Sequence, residues 1–372
     1  MTTVPSLSST AAGRSAQGVD RRRRRVAVLG ATGAVGQAFV RLLANHPWFE
    51  LSELAASERS AGKPYGEAAR WIGSAAIPAG VDGMTVLPCD PAAVSADIVF
   101  SALDSAAAGE AEPAFARAGK TVLTNAKNYR MEPDVPLVIA EVNPGHLDVL
   151  AAQRRNRGWT GGIVANGNCS AIVTSLPLAP IHERFGIQKL VVTTMQAISG
   201  AGYPGVPSLD ILGNVIPYIG DEEPKIEAEV RKFLGRSTGS AIESADFLVS
   251  AHANRVPVEH GHTICMSVAL ARKASAMEVQ RAIADWCGAD VARGLPSAPE
   301  RPIVVCEQPD HPQPRRHVDT GNGMTVVVGR VRPDPIFDVK FVAMGHNVIR
   351  GAAGASVLNA ELMVHRGLLG AP

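Results

Sequence analysis

The run Asn166-Gly167-Asn168-Cys169-Ser170 sets one thiol among small and polar residues. The β-leaning Gly162-Ile163-Val164-Ala165 precedes it, and Ala171-Ile172-Val173-Thr174-Ser175-Leu176 reads as the start of an apolar helix. A cysteine at a helix N-terminus sits in the field of unpaired N–H groups, which favours the thiolate, the nucleophilic form. The plain alternative is a packed thiol before a core helix, because free cysteine is usually buried. Downstream, His260 and His262 are two residues apart, followed by Cys265. In an extended strand Cys265 points to the other face and no third ligand is near, so no metal is expected. A lone general base on His262 fits better, with Arg255 reading a carboxylate at the other end of the segment. Gln196 interrupts the strand-like run 190–199, and a buried Gln needs partners for its amide, which makes it a ligand candidate. Glu222, Glu223 and Lys225 open a helix with apolar Ile226, Val230, Phe233 and Leu234. Acids there also stabilise the helix start in their own right. Arg130, in a polar stretch after a buried strand, is a candidate anion ligand or a surface arginine.

The elements that must position these groups follow from hydrophobic period and glycine turns. Val26-Ala27-Val28-Leu29 is a short buried-type strand, followed at once by Gly30-Ala31-Thr32-Gly33-Ala34-Val35-Gly36 and a helix with apolar Ala38, Phe39, Leu42 and Leu43. Strand, glycine turn and helix in that order form the phosphate-binding start of a dinucleotide fold, in which backbone N–H groups approach a pyrophosphate. The spacing G-x-x-G-x-x-G is a variant of the usual fingerprint, and a turn without a ligand is the alternative. After a second strand near residues 51–55, an NAD enzyme usually places an acid on the ribose 2′-hydroxyl. Here Arg59, Ser60 and Lys63 offer charge and donors for a 2′-phosphate, so NADP is expected, with Glu58 keeping NAD as the alternative. Strands at 98–103 and 121–124 alternate with a helix at 107–118, which predicts a doubly wound parallel sheet of Rossmann type. Ligands in such sheets bind beyond the strand C-termini, where Ser101, Ala102 and Asn125 fall. Residues 145–155 read as helical.

In the second half, the strand at 190–199 runs into a glycine-rich loop beginning at Gly200. A helix is predicted at 277–292 and strands at 303–305, 324–328 and 338–344, with a Pro-, Gly- and charge-rich loop at 307–323. Gly345-His346-Asn347 opens a final helix of small residues that can pack back on the first domain. Asn347 is then placed for a nucleotide contact or acts as a simple N-cap.

A chain of 372 residues suggests two domains. The expected division is a disordered basic tail at 1–25, a nucleotide domain at 26–168 and 346–372, and an α+β catalytic and dimerisation domain at 169–345. A net charge of +1 implies no bulk attraction to nucleic acid or anionic membrane. No apolar run approaches the ~20 residues needed to span a bilayer. The five cysteines are scattered and lack a Cys-x-x-Cys pair, which argues against a disulfide framework or structural zinc and favours a reducing cytoplasm.

Taken together, the motifs resemble the aspartate-semialdehyde dehydrogenase family in its archaeal and fungal-type branch. They are GATGAVG (30–36), ASERSAGK (56–63), RMEPDVPL (130–137), EVNP (141–144), NGNCS (166–170), QAISGAGYPG (196–205), NVIPYIG (214–220), NRVPVEHGHT (254–263) and GHNVIRGAAGASVLNAE (345–361). The resemblance covers residues 26–365 and leaves the tail without a counterpart. Ala140, Lys127-Asn128-Tyr129 and Ile264-Cys265 depart from the family's usual pattern.

The resemblance implies reduction of L-aspartyl 4-phosphate to L-aspartate 4-semialdehyde with NADPH, through a thioester on Cys169, in lysine, methionine and threonine biosynthesis. It implies His262 as the acid/base and Gln196 as the group orienting the thioester. Arg255 would take the substrate α-carboxylate and Glu222 the α-ammonium. Lys225 and Arg130 would face the phosphate, and Asn168 would position the Cys169 loop. The implied cofactor set is Gly30, Thr32, Gly33, Ala34, Val35, Gly36, Arg59, Ser60, Ser101, Gly200 and Asn347. A homodimer or homotetramer is implied, with no nucleic-acid or membrane partner. The alternatives are an acyl-CoA reductase of malonyl-CoA type, which would have no need of Glu222, and a non-catalytic nucleotide-binding regulator.

Overall fold

A computed structural model describes residues 23–369. Most of the expected tail therefore lies outside the described residues, but Arg24 and Arg25 do not belong to it: they begin the first strand. That strand, β1 (Arg24–Leu29), joins β2 (Phe49–Ala56), β3 (Val86–Pro88), β4 (Ile98–Ser101), β5 (Thr121–Thr124) and β6 (Gly162–Ala165) in one sheet. The order is β3-β2-β1-β4-β5-β6 and every pairing is parallel. All residues of β4, β5 and β6 are buried, as expected of strands covered on both faces. Helices α1 (Ala34–Leu43), α2 (Tyr65–Ala68), α3 (Ser105–Arg117) and α4 (Leu150–Arg157) belong to this half. The order reverses between β1 and β4, which opens the crevice at their C-terminal ends.

Helix α5 (Cys169–Phe185) leads into the second half and is apolar nearly all round, with residues 170–181 buried. Such a helix has to be enclosed. It lies under a second sheet made of β7 (Ile187–Gln196), β10 (Leu248–Arg255), β11 (His262–Leu270), β12 (Ile303–Cys306), β13 (Val326–Pro333) and β14 (Val339–Gly345), ordered β10-β7-β11-β14-β13-β12. A small pair, β8 (Arg236–Ser237) and β9 (Ile242–Glu243), sits apart. The remaining helices are α6 (Ser208–Ile211), α7 (Glu222–Phe233), α8 (Ala276–Asp285), α9 (Pro314–His317) and α10 (Gly354–His365).

Register in the second sheet aligns three of the candidate site residues. Gln196 and Arg255 are direct partners in the parallel β7–β10 pair. Strand β11 runs antiparallel to β7 with Thr263 opposite Met195, so His262 stands beside Gln196 at the same sheet end. Three residues spread over 67 positions of sequence thus form one row (Gln196 to His262).

Three elements differ from expectation. The helix predicted at 277–292 stops at Asp285, because Trp286 is extended and Gly288 has φ +74°. The strand predicted to Ser199 ends at Gln196, and a 3₁₀ turn takes Ile198–Ala201. The last helix does not open at Gly345-His346-Asn347: a π-turn spans Ile349–Ala353 before α10, and Asn347 caps neither. Helix α10 packs on α1 and β5, so the chain does return to the first half. A buried bidentate pair, Arg350 with Glu141 at 2.7 and 2.8 Å, ties that return to the EVNP segment.

Candidate active site

Cys169 is the first residue of α5, and Asn168 is its N-cap. The Asn168 Oδ1 accepts from the N–H groups of Ser170 (2.9 Å) and Ala171 (3.0 Å). Its Nδ2 donates to Glu222 Oε1 at 2.8 Å. Opposite, His262 Nε2 stands 3.1 Å from Cys169 Sγ. The Ala197 N–H donates to His262 Nδ1 at 3.0 Å. That bond requires a lone pair on Nδ1, so the neutral ring carries its proton on Nε2, directed at the sulfur.

Burial sets the charge state of this pair. Desolvation first, then the Glu222 carboxylate, push the Cys169 thiol up to about 12, while Arg130 and Arg255 pull it down less. Desolvation, then Arg255 and His346, bring the His262 imidazolium down to about 3. The expectation that the helix start would favour the thiolate is therefore corrected. The first free N–H groups of α5 are spent on Asn168, and low dielectric outweighs what field remains. The pair rests as thiol and neutral imidazole.

The other expected groups converge on it. Glu222, buried at the start of α7, accepts from Gln196 Nε2 at 3.0 Å as well as from Asn168. Lys225, one turn on, lies 3.8 Å from the second Glu222 oxygen. Arg255 is buried and donates to the Ala197 carbonyl at 2.7 Å. A Cβ placed on Gly200 would come within 3.0 Å of Arg255 Nη1 and 3.1 Å of His262 Cε1, so this loop glycine lies against the dyad. Arg130 is buried and paired: it reaches Glu229 Oε1 at 3.0 Å and the Asn125 carbonyl at 2.6 Å.

Several contributors had no clear signal in the sequence. Glu229 accepts from the Asn168 N–H at 2.5 Å and thereby couples Arg130 to the cysteine loop. Its position on the inner face of α7, one turn after Lys225, was the available clue. Gly351, inside the π-turn, faces Cys169 so closely that a Cβ there would sit 2.5 Å from the cysteine Cβ. Ala197 acts through its backbone, which no side-chain motif reveals.

Family models match both halves of the chain. The semialdehyde dehydrogenase NAD binding domain matches residues 25–150, and the semialdehyde dehydrogenase dimerisation domain matches residues 178–350. The aspartate-semialdehyde dehydrogenase of Archaeoglobus fulgidus is 53% identical over 342 residues, covering 92% of this chain and 98% of that one. The enzyme of that name from Schizosaccharomyces pombe is 49% identical over 354 residues, covering 93% and 99%. The chain belongs to the aspartate-semialdehyde dehydrogenase family. The crystal structure of the Candida albicans aspartate semialdehyde dehydrogenase with NADP has a TM-score of 0.86 at 42% identity, covering 94% of this chain and all of that one.

In this family member the glycine turn is built as its spacing predicts. Gly30 has φ +69°, and a Cβ there would lie 2.6 Å from the Ala102 carbonyl oxygen, where β1 and β4 part. Gly36 is equally confined, 2.2 Å from the Gly30 oxygen on the same construction. Gly33 caps α1 without any side-chain bond, leaving Ala34 and Val35 on its first turn and Thr32 in the turn before it. A cleft of about 420 Å³ runs from Ala34, Ala38 and Arg41 to the loop bearing Ser199 and Tyr203. Arg59 is exposed and Ser60 half-buried just past β2. Two expected cofactor contacts sit differently. Ser101 is buried with its hydroxyl beside the Glu112 carboxyl, inside the sheet layer. Asn347 is buried, accepts from the Gly261 N–H at 3.0 Å and donates to Ser199 Oγ at 2.8 Å, so it braces the residue before His262 against the 198–201 turn. A larger cavity of about 880 Å³ lies at the opposite end of the first sheet, around Arg23–Arg25, away from Cys169. Among the described residues no helix is long and apolar enough to cross a membrane.

Proposed function

We propose that the protein reduces L-aspartyl 4-phosphate to L-aspartate 4-semialdehyde, with Cys169 as the nucleophile that carries the acyl group as a thioester and releases phosphate. The 3.1 Å approach of His262 Nε2 to Cys169 Sγ carries this reading. The surrounding charges suit an amino-acid substrate. Arg255 offers a planar donor set for the α-carboxylate. Glu222 offers an anion for the α-ammonium, and Lys225 and Arg130 supply positive charge for the phosphoryl group. An ammonium docked on Glu222 would also remove one of the two influences that hold the thiol high. Substrate binding then favours the ionised sulfur when it is needed.

His262 works from its Nε2–H. As the sulfur–carbon bond forms and the carbon–oxygen bond to phosphate breaks, the thiol proton leaves with the departing phosphate. The Nε2–H hydrogen-bonds to the substrate oxygen as charge moves there, and relays a solvent proton back to the sulfur when the aldehyde is released. Gln196 and Asn168 hold Glu222 in place from two sides. NADPH, when bound, supplies the hydride. The glycine turn at Gly30, Thr32, Gly33, Ala34, Val35 and Gly36, the adjoining cleft, and Arg59 and Ser60 past β2 fit a dinucleotide with a 2′-phosphate. The match to a dimerisation domain and the exposed Leu209, Leu212 and Tyr218 support a homodimer, alone or paired into a tetramer, and the five unpaired cysteines suit a reducing cytoplasm.

Purified protein supplied with aspartate semialdehyde, phosphate and NADP should form NADPH. Absence of that product, with reduction of malonyl-CoA instead, would overturn the substrate assignment in favour of an acyl-CoA reductase. Inactivity on both with intact cofactor binding would point to a nucleotide-binding regulator.

A further inference from the structure

A second cysteine–histidine grouping lies outside the catalytic dyad. Cys306 ends β12, His311 follows in the next loop, and His317 closes α9. One potential ligand atom from each lies within 4.8 Å of the other two, and all three residues are half-buried. The His311 and His317 rings meet edge to face, with centroids 4.5 Å apart and planes at 70°. His317 Nδ1 is 3.0 Å from both the carbonyl oxygen and the N–H nitrogen of Gln313. When Nδ1–H donates to that carbonyl, Nε2 presents a lone pair, the orientation found for histidines that bind metal. The Asp310 carboxylate is 3.8 Å from His311 Nε2 and accepts from Gln313 Nε2 at 2.9 Å.

The loop is held by its own bonds and by the sheet. Gln313 also donates to the Asp310 carbonyl at 3.0 Å, and Arg330 Nη1 reaches the Pro309 carbonyl at 2.5 Å. At Gly329 of β13, an added Cβ would fall 2.4 Å from the His311 oxygen, so loop and strand are in close apposition. The ligand-bearing side chains therefore project from a framework that exists before any ion arrives.

We propose that Cys306, His311 and His317 form a binding site for a borderline-soft divalent transition metal, Zn²⁺ or Co²⁺, with water or Asp310 completing a tetrahedron. One thiolate and two imidazoles select such ions over Mg²⁺ or Ca²⁺, which require oxygen donors. Zinc bond lengths imply ligand atoms about 3.3–3.6 Å apart, so closing the trio asks for side-chain rotations of about an ångström. The Cys306 proton passes to solvent as the metal–sulfur bond forms. The site is independent of the substrate reading above. It also has a structural neighbour of consequence: Pro314, between the two histidines, packs where a Gly261 Cβ would be 3.0 Å away, next to His262. A bound ion would pin that segment behind the catalytic histidine.

Titrating the full-length reduced protein with Co²⁺ should give a sulfur-to-cobalt charge-transfer band and tetrahedral d–d bands saturating at one ion per chain. Cys306→Ser should abolish the charge-transfer band, and His317→Ala should weaken binding at least ten-fold. Cys169→Ser should leave both unchanged. Zn²⁺ should raise the melting temperature of the parent protein but not of Cys306→Ser, with both melting cooperatively without metal. Loss of the band in Cys169→Ser together with its retention in Cys306→Ser would overturn the proposal by assigning the ion to the catalytic dyad. Absence of any tetrahedral cobalt spectrum at millimolar Co²⁺ would overturn it as well.

Discussion

The dyad of Cys169 and His262 and the trio of Cys306, His311 and His317 use the same two side-chain types in the same half of the molecule. They differ in what surrounds them. His262 is fully buried, its Nδ1 is occupied by a backbone N–H, and charged Glu222, Arg130 and Arg255 act on the sulfur. The trio is half-exposed, and its histidines retain a ring nitrogen for a cation. In the dyad, low dielectric drives both partners to their neutral forms, so charge appears only when an electrophile arrives. In the trio, solvent access lets an incoming ion bring the charge with it. Residue type alone therefore does not separate a nucleophile from a metal ligand; burial and the occupancy of the second imidazole nitrogen do.

The largest test of this contrast removes the sulfur on each side. Cys169→Ala should lower kcat by about 10³-fold or more while leaving NADPH binding intact, measured by steady-state kinetics and fluorescence titration. Cys306→Ala should leave kcat within about two-fold when assayed without added metal; a collapse there would dissolve the distinction between the two groups. Next in size is Gly351→Ala, which forces a methyl group against Cys169. Its kcat should fall about ten-fold or more, because small displacements of a nucleophile are costly. The melting temperature should fall as well, through overpacking.

A smaller effect sharpens the electrostatic side. Glu222 raises the Cys169 thiol, so Glu222→Gln should move the pH midpoint of Cys169 alkylation downward. The same variant should raise KM for aspartate semialdehyde. An upward shift of the midpoint would contradict the charge assignment. The smallest effect concerns stability. His262 is held at about 3, below its value of 6.5 when solvated, so between those limits the unfolded chain binds a proton that the folded chain refuses. Stability should thus be fully present above about pH 6.5 and be lost as pH falls through that window. His262→Gln should flatten this loss in urea unfolding at pH 7 and pH 5. His346, held at about 4, supplies part of the slope that remains.

Much of the first half was legible because local rules suffice there. Buried parallel strands are short apolar runs, and Gly30 and Gly36 are where the turn geometry leaves no room for a Cβ. The cysteine motif placed Asn168 and Cys169 at a helix start, and the structure begins α5 there. The misreadings share a cause. Residues 286–292 kept an apolar spacing that suits a helix, yet Gly288 takes a positive φ against Glu141, a contact from a distant segment. Asn347, expected at a helix start as a nucleotide contact or an N-cap, begins no helix, and its amide bridges Gly261 and Ser199. Ser101 has the right position along β4, but its side chain faces inward to Glu112.

The order of motifs along the chain was enough to determine the family, the glycine turn after the first strand and the cysteine at a helix start, since each depends on residue type and near-neighbour spacing. Three things waited for the tertiary structure. The alignment of Gln196, Arg255 and His262 comes from strand register, which no single segment encodes. The neutral state of the dyad comes from desolvation, a property of everything packed around it. The gathering of Cys306, His311 and His317 comes from a loop folding onto β13, where close packing between distant backbones, rather than any motif, sets the distance between side chains.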